Sequence, residues 1–265
     1  MRAVAILATH NEERFVAGCI EHLSSQGVEV YLIDNSSSDS TIEIAEGYLG
    51  RGLVGIETFP RDGVYSWRPL LRRKAELAET LDADWFLHID ADEIRPSPRA
   101  DVTLADALAE VDRLGYNAVN FQEFTFVPTL EEPDHDHPRF RETMRRYYPF
   151  LPRPADQVKA WKRLEAPVDV VSSGGHRAEF PGRRIYPESF PMRHYVFLSV
   201  EHAVQKYIER RYDPDELADG WHQARAALRA GDVKLLSETE LRPYVSDASL
   251  DAAEPWTRHP LFAGA

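Results

Sequence analysis

The sequence is poor in cysteine and has no long hydrophobic run. Its 265 residues include a single cysteine, Cys19, so an internal disulfide framework is excluded. Every apolar run is far shorter than the roughly 20 residues that a membrane-spanning helix requires. Residues 1–13 turn acidic after a short apolar segment, which favours a first strand over a signal peptide. Together these features favour a cytoplasmic protein.

Glycine-rich phosphate loops and an excess of positive charge are also missing. The loop after the first predicted strand lacks Gly-x-Gly-x-x-Gly, and no Gly-x-x-x-x-Gly-Lys-Ser/Thr occurs, so a dinucleotide fingerprint there and a P-loop are excluded. A net charge of -13 argues against nonspecific nucleic-acid binding, and we expect no nucleic-acid partner. Local basic stretches that suit phosphate remain at 72–74, 145–146 and 210–211.

Strand and helix patterns alternate through the first third of the chain. Predicted strands at 3–8, 28–33, 53–59 and 85–89 alternate with predicted helices at 13–25, 41–49 and 70–81. This order predicts an α/β fold with a mostly parallel central sheet flanked by helices. In such sheets, ligands bind beyond the carboxyl ends of the strands.

The most informative stretch is 85–93, where a buried strand runs directly into three carboxylates. Asp90 and Asp92 are separated by Ala91, so in an extended chain their side chains point the same way. Carboxylates this close repel each other unless a cation lies between them, and a hard divalent ion takes such oxygen ligands. The alternative is a solvated acidic turn.

Polar residues also follow the first two predicted strands. The first strand ends in Thr9-His10-Asn11-Glu12, and the second ends in Asp34-Asn35. Helix capping explains part of this polarity, since Asn11 can cap the helix that follows. A ligand site at the carboxyl edge of the sheet explains all three polar strand ends together.

Three motifs in order resemble those of family 2 glycosyltransferases of the GT-A fold, over roughly the first 95 residues. The resemblance implies a UDP- or GDP-sugar donor, a divalent metal (Mn²⁺ or Mg²⁺), inversion at the anomeric carbon, and a saccharide or lipid-linked acceptor in polysaccharide or glycolipid synthesis. It leaves peripheral membrane association open. It also implies one domain over 1–265, with a nucleotide-sugar half at 1–95, a variable acceptor half at 96–246 and a tail at 247–265. The motifs are Ala8-Thr9-His10-Asn11-Glu12-Glu13-Arg14, Leu32-Ile33-Asp34-Asn35-Ser36-Ser37-Ser38-Asp39-Ser40-Thr41 and Leu87-His88-Ile89-Asp90-Ala91-Asp92-Glu93.

The resemblance also implies roles for individual residues. The donor would be bound by Thr9, Asn11, Glu12, Asp34, Asp39, Lys74, Asp90 and Ala91, with Arg73 as an alternative to Lys74. Asp92 would hold the metal with the diphosphate, and Glu93 would support the acidic pair from behind. His194, before a predicted helix at 200–211, would complete the metal shell; a packed core histidine is the alternative.

The second half offers two candidates for the base that deprotonates the acceptor. Glu123 lies on a predicted strand at 117–126, and His176 follows paired glycines in the stretch 172–177. The plainer alternatives are an exposed strand residue and a simple turn. Residues 128–154 read as a loop, in which Asp134-His135-Asp136-His137 is either a metal site or solvated. A last helix is predicted at 215–229, and a loosely packed tail from Asp247.

Two other functions are compatible with such a sheet. A nucleotidyltransferase is expected to carry a glycine-rich basic loop after the first strand, where this chain has Thr-His-Asn-Glu-Glu. A non-catalytic nucleotide- or sugar-binding protein is expected to have lost the acidic pair, which is present here as Asp90 and Asp92. The sequence therefore favours a glycosyltransferase, with donor sugar and acceptor left open.

Overall fold

In the computed structural model, which describes residues 1–261, the chain folds as two compact units. The first unit comprises residues 1–60, 67–122 and 154–192, and the second comprises residues 61–66, 123–153 and those from 193 onward. The chain thus passes back and forth between the units. The division into halves at residue 95 stays a prediction.

The described residues contain ten strands and eight α-helices. The strands are β1 (Ala3–Thr9), β2 (Val28–Asp34), β3 (Leu53–Thr58), β4 (Trp85–Ile89), β5 (Glu93–Ile94), β6 (Ala118–Phe126), β7 (Arg146–Phe150), β8 (Val158–Lys162), β9 (Phe190–Tyr195) and β10 (Arg242–Pro243). The helices are α1 (Val16–Ser25), α2 (Thr41–Glu46), α3 (Trp67–Thr80), α4 (Leu104–Arg113), α5 (Phe140–Thr143), α6 (Val200–Ala203), α7 (Pro214–Ala218) and α8 (Gln223–Ala226). A π-helical turn spans Val204–Ile208, and 3₁₀ turns span Ala230–Asp232, Glu238–Glu240 and Asp247–Ser249.

A parallel sheet forms the centre of the first unit. Strand β1 pairs in parallel with β2 on one side and β4 on the other, and β3 pairs in parallel with β2. Strand β8 then pairs antiparallel with β4, and the first residues of β6 pair antiparallel with β8. The predicted α/β fold with a mostly parallel central sheet flanked by helices is therefore confirmed, and antiparallel strands extend it.

The parallel strands are buried because their sequences are almost wholly apolar. Every residue of β4 is buried, as expected for a strand covered on both faces. Helix α1 buries Cys19, Ile20 and Leu23 on one face, the stripe that its sequence spacing predicts. The same helix begins at Val16 and not at Glu13, since Asn11 adopts a left-handed backbone conformation (φ +56°) and does not cap it.

A second, antiparallel group of strands lies in the second unit. The last residues of β6 (Glu123 to Phe126) pair antiparallel with β7, and β7 pairs antiparallel with β10. The prediction of a loop over 128–154 is wrong for α5 and β7, which lie inside it. Tyr147 and Tyr148 are both buried, and aromatic packing of this kind supplies the apolar area that a charged, proline-rich segment otherwise lacks.

The helices of the second unit are shorter than their sequence patterns predict. The helix expected over 200–211 is α6 followed by the π-helical turn. The helix expected over 215–229 is broken into α7 and α8, because Gly220 and His222 both have left-handed backbone conformations (φ +89° and +56°).

Residues after Asp247 pack more closely than expected. The Trp256 ring stacks on Tyr148 with centroids 4.6 Å apart, and Leu261 is buried in the apolar cluster of the second unit. These contacts contradict a loosely packed tail as far as residue 261. None of the helices between residues 1 and 261 has the length and apolarity to cross a membrane.

Candidate functional site

Polar strand ends meet at one edge of the parallel sheet. Thr9 is the register partner of Asp34 at the ends of β1 and β2. Leu7 is the partner of Ile89, so β4 ends at the same level and Asp90 follows directly. Three strand ends that are distant in sequence thus lie side by side, as expected for a ligand site in an open α/β sheet.

The loops after β1 and β2 are joined to each other by hydrogen bonds. Ser38 N donates to Asn11 Oδ1 (2.8 Å), and Asn11 N donates to Ser37 Oγ (3.0 Å). The His10 ring nitrogen Nδ1 lies 2.9 Å from Asn35 O. Asn11 was predicted to bind the donor, and the structure gives its side chain a role in fixing the two loops.

Two of the predicted donor residues also order the second loop. Asp39 accepts hydrogen bonds from Glu13 N (3.1 Å) and Thr41 N (3.0 Å), and Glu12 N donates to Thr41 Oγ1 (2.7 Å). These contacts are of the capping type, so they account for Asp39 without a ligand. The structure places the Glu12 backbone in the same network.

Thr9 and Asp34 are both buried at this edge. The Asp34 carboxylate accepts a hydrogen bond from Ser37 N (3.0 Å). The Thr9 hydroxyl is buried and has no hydrogen-bond partner among residues 1–261. A buried hydroxyl without a partner is costly, and a ligand that bonds to it removes that cost. A ligand bound at this edge would satisfy the Thr9 hydroxyl.

The acidic turn after β4 is closed by Glu93, which is itself buried. Glu93 Oε2 accepts hydrogen bonds from Asp90 N (3.1 Å) and from Arg95 Nη2 (2.5 Å). Glu93 Oε1 accepts one from Lys159 Nζ (2.5 Å). Two buried cations therefore neutralise the one fully buried carboxylate of the turn, while Asp90 remains half-exposed at the rim.

Lys74 lies beneath the end of β4. Its ammonium group is fully buried and donates to Ile89 O (3.1 Å), with His88 Nδ1 at 3.2 Å and the Trp67 ring centre at 5.4 Å. Burial lowers the pKa of Lys74 to about 8, and the Asp90 carboxylate opposes that shift. The sequence predicts that Lys74 faces the nucleotide; the structure has it supporting the strand end. The alternative, Arg73, pairs with Glu57 (2.6 Å).

His88 links Lys74 to the acidic pair. Burial holds the pKa of His88 well below its ordinary value, and the neighbouring Lys74 lowers it further. The ring is therefore neutral near pH 7. Because Lys74 donates to Nδ1, the ring proton is on Nε2, which lies 4.0 Å from Asp90 Oδ1. This role was not predicted, since a histidine inside an apolar strand is typical of a core residue.

The paired glycines at 174–175 approach His88. A Cβ atom on Gly175 would lie 3.1 Å from His88 Nε2, and its φ is +86°. Trp67 Nε1 donates to Gly174 O (2.9 Å), which anchors the turn to α3. The close approach that the paired glycines predict is thus made to a protein side chain. His176, the next residue, is exposed.

In the second unit, Glu123 and His194 form a pair. His194 Nδ1 lies 2.7 Å from Glu123 Oε1, and Thr125 Oγ1 donates to the same oxygen (2.9 Å). Glu123 is buried, which rejects the exposed-strand alternative, and one fifth of the His194 side chain is exposed. Sequence analysis predicted separate roles for them, with Glu123 as a base and His194 as a metal ligand.

The acidic pair has the donors that a divalent cation requires. Mg²⁺ and similar ions are often held by one or two carboxylates, with substrate phosphate oxygens completing the shell. Asp92 is buried and Asp90 is partly exposed, so the pair supplies carboxylate oxygens of the kind that such an ion binds. No cluster of three or more His, Cys, Asp or Glu that could hold a metal ion occurs in the described part of the chain. The stretch 134–137 forms no such cluster among these residues, and the buried His135 has Nδ1 2.9 Å from Thr143 Oγ1.

Four residues of this site were missed by sequence reasoning: Trp67, His88, Arg95 and Lys159. Arg95 and Lys159 are buried cations on or beside strands. A charged residue inside an apolar strand, such as Lys159 in Val-Lys-Ala-Trp-Lys, is a usable signal, because it requires a buried partner of opposite charge.

Comparison with known proteins finds a family model that is similar to part of the chain. Residues 4–119 match the sequence model described as Glycosyl transferase family 2. No curated protein sequence matches the chain. Among solved structures, S. aureus TarS 1-349 is similar, in complex with UDP-GlcNAc, at 16% identity and a TM-score of 0.42; the match covers 74% of this chain and 58% of that one. The complex of TarS 1-349 with UDP is 13% identical to this chain with a TM-score of 0.44, and the match covers 74% of this chain and 61% of that one.

A second similar structure is glucosyl-3-phosphoglycerate synthase from Mycobacterium tuberculosis, in complex with Mn²⁺, UDP and phosphoglyceric acid. Its identity is 22% and its TM-score 0.29, over 47% of this chain and 43% of that one. The matched region thus spans about 60% of the TarS 1-349 chain and less than half of the synthase.

Proposed function

We propose, from the match of residues 4–119 to the family model described as Glycosyl transferase family 2, that this chain is a glycosyltransferase that moves a sugar from a nucleoside-diphosphate donor to a hydroxyl acceptor. One observation carries the proposal: the ends of β1, β2 and β4 bring Thr9, Asp34 and the acidic turn to one edge of the sheet. UDP- or GDP-sugars are the donor class. Polysaccharide or glycolipid synthesis, in the cytoplasm or at a membrane surface, is the setting.

The nucleoside half of the donor is assigned to Thr9 and Asp34. The Thr9 hydroxyl has no hydrogen-bond partner among residues 1–261, which supports a hydrogen bond from it to the donor. The Asp34 carboxylate can accept a hydrogen bond from the base or the ribose. Asn11, Glu12 and Asp39 contribute indirectly, because their hydrogen bonds fix the conformation of the two loops around that position. Asp90 and Ala91 complete the donor edge.

The diphosphate is assigned to the acidic turn. Asp92, with Asp90 beside it, would hold a divalent cation such as Mn²⁺ or Mg²⁺, which neutralises charge on the departing diphosphate when bound. Glu93, held by Arg95 and Lys159, keeps the turn closed. Lys74 fixes the end of β4 through its hydrogen bond to Ile89 O, and its positive charge stabilises the nearby carboxylates. His88 lies between Lys74 and Asp90.

Proton transfer from the acceptor is assigned to the Glu123–His194 pair. A histidine held by a buried carboxylate has a fixed ring orientation, which suits a general base. We therefore move His194 from the metal shell to proton transfer, with Glu123 orienting it. His176 is the second candidate, since it is exposed beside the Gly174–Gly175 turn. Inversion needs one such base and no covalent intermediate.

The test is Asp92→Asn, with Asp82→Asn as the matched control because the Asp82 side chain is 98% exposed. Donor hydrolysis and thermal shift with UDP or GDP are measured with and without Mn²⁺. Asp92→Asn should lose the Mn²⁺-dependent nucleotide shift and at least about 100-fold in turnover, with an unchanged melting temperature in the absence of ligand. Near-normal turnover in Asp92→Asn would reject the assignment. Nucleotide binding without donor cleavage in the unaltered protein would identify a binding protein.

A further inference from the structure

The ring of His88 is held at one nitrogen by Lys74, and both residues belong to the first unit. Lys74 Nζ lies 3.2 Å from His88 Nδ1 and donates to Ile89 O (3.1 Å). An ammonium group has hydrogens to donate and no lone pair, so Nδ1 is the acceptor in this contact. A neutral imidazole that accepts at Nδ1 carries its proton on Nε2. Lys74 therefore fixes the tautomer of His88.

The other ring nitrogen of His88 is the one nearest the acidic turn. Nε2 lies 4.0 Å from Asp90 Oδ1. Direct N–H···O hydrogen bonds are about 2.7 to 3.2 Å long, so a rotation of the Asp90 side chain or one bridging water would join the two groups. The Asp90 side chain is 39% exposed and that of His88 is 3% exposed. The carboxylate is therefore the group that can move, and the ring is the fixed one.

Two further contacts restrict the His88 ring. A Cβ atom on Gly175 would lie 3.1 Å from both His88 Nε2 and His88 Cε1, so the Gly175 backbone lies against this end of the ring. Trp67 meets the ring in a T-shaped arrangement with centroids 5.8 Å apart. The Trp67 indole nitrogen also donates to Gly174 O (2.9 Å). The ring is thus enclosed by α3, β4 and the turn at residues 174–175.

Packing alone does not require a histidine at this position. The other residues of β4 are Trp85, Phe86, Leu87 and Ile89, and all of them are buried. Placing an imidazole beside a buried ammonium group takes two polar groups out of water, and this costs free energy that an apolar side chain at position 88 would not. His88 is thus a polar residue in an otherwise apolar strand, and it lies next to the acidic pair.

We propose that His88 is a positioning residue for the acidic turn: its Nε2–H group holds Asp90 Oδ1 and so turns Oδ2 toward the bound donor and its cation. Carboxylates at metal sites are commonly oriented by such an outer hydrogen bond, and removing the partner typically weakens metal binding by about 10- to 100-fold. The part that concerns the donor rests on the proposed function, whereas the contact between His88 and Asp90 does not. Lys74 acts through His88, because it fixes the tautomer that can donate.

Two variants separate the N–H group of His88 from its bulk. His88→Phe keeps a planar ring without nitrogen, and His88→Gln keeps an amide N–H that can reach Asp90. Phe86→Leu is the matched control, because Phe86 is buried on the same face of β4 two positions away. The affinity of the full chain for Mn²⁺, alone and with saturating UDP or GDP, is measured by electron paramagnetic resonance, together with the melting temperature.

The expected pattern differs from that of a purely structural role. His88→Phe should weaken Mn²⁺ binding by about 10- to 100-fold, whereas His88→Gln should stay within about 3-fold of the unaltered protein. Phe86→Leu should lower the melting temperature and leave the Mn²⁺ affinity unchanged. Unchanged affinity in His88→Phe, equal losses in His88→Phe and His88→Gln, or an equal loss in Phe86→Leu would each overturn the proposal.

The tautomer of His88 is measured in the unaltered protein, so the proposal can be refuted even if the variants do not fold. Long-range proton–nitrogen correlation spectra of the chain labelled at histidine distinguish a proton on Nε2 from one on Nδ1, and contacts to the Trp67 ring identify His88. A proton on Nε2 whose signal shifts on addition of Mg²⁺ supports the proposal. A proton on Nδ1, or an Nε2 signal that saturating Mg²⁺ leaves unchanged, overturns it.

The same measurements separate this proposal from the proposed function. Mn²⁺ binding that depends on His88 in a protein that binds neither UDP nor GDP would count against the proposed function alone. Nucleotide-dependent Mn²⁺ binding that is the same in His88→Phe would count against the role of His88 alone. An unaltered protein that binds no Mn²⁺, with or without nucleotide, would reject both.

Discussion

Replacing Glu93 by glutamine removes a negative charge that two buried cations, Arg95 and Lys159, share. Both cations lie 2.5 Å from the Glu93 carboxylate, and all three side chains are at most 5% exposed. Breaking a buried ion pair by removing one partner costs roughly 3 to 5 kcal/mol, because an uncompensated buried charge remains. The Arg95 Nε and Nη1 atoms lack hydrogen-bond partners among the described residues, and Nη2 also donates to His88 O (3.3 Å), a neutral carbonyl that cannot replace the lost negative charge.

The assay is urea unfolding followed by tryptophan fluorescence. Glu93→Gln should lower the free energy of unfolding by about 3 kcal/mol or more, seen as a lower midpoint at unchanged m-value. Glu110→Gln is the matched control, because Glu110 pairs with Arg99 at the same distance (2.5 Å) on the exposed surface. Its effect should be much smaller, since solvent screens the pair.

A double variant separates charge from shape in the same network. Adding Lys159→Met to Glu93→Gln removes one of the stranded cations, so the double variant should be less destabilised than the sum of the two single variants. Additive effects, or a stability loss in Glu93→Gln no larger than in Glu110→Gln, would refute the reasoning that Glu93 is a buried counter-ion.

Three further predictions concern the neighbours of this network. Gly175→Ala should lose at least about 2 kcal/mol of stability, because the new Cβ would lie 3.1 Å from His88 and the backbone is left-handed. Gly174→Ala, whose new Cβ would have its nearest neighbour at 3.9 Å, should lose only the backbone cost of about 1 kcal/mol. Equal losses in the two variants would contradict the close contact with His88. The pKa of Lys74 is lowered from 10.5 to about 8 in the folded chain, so the unfolded chain binds more protons between these pH values. The free energy of unfolding of the unaltered protein, measured relative to that of Lys74→Met, should therefore rise by about 2 kcal/mol from about pH 7 to about pH 9.5. A flat difference between the two pH curves would place the amine in solvent. Glu123→Gln and His194→Gln should each lower turnover by about 100-fold or more, and the double variant should lose little more. His176→Gln should keep near-normal turnover. The reverse pattern would assign the base to His176.

Several features of the fold were accessible from local sequence alone. The strand–helix alternation of the first 95 residues predicted the parallel order of β1 to β4, because buried strands and amphipathic helices have distinct periodicities. Cys19 was expected in the core and lies there. The second half was read less well: β7 lies where a loop was expected, and a left-handed residue at His222 divides a predicted helix. Its aromatic contacts join residues about a hundred positions apart, such as Tyr148 and Trp256, and no local pattern encodes them.

The sequence by itself determined which residues end the strands, and therefore which edge of the sheet carries Thr9, Asp34, Asp90 and Asp92. Only the tertiary structure decided how the charges around that edge are balanced. It placed Glu93 between two cations, Lys74 beneath the strand end and Glu123 against His194. The physical reason is that strand ends follow from periodicity within a few residues. A buried charge is instead stabilised only by partners of opposite charge, which the fold brings from distant segments.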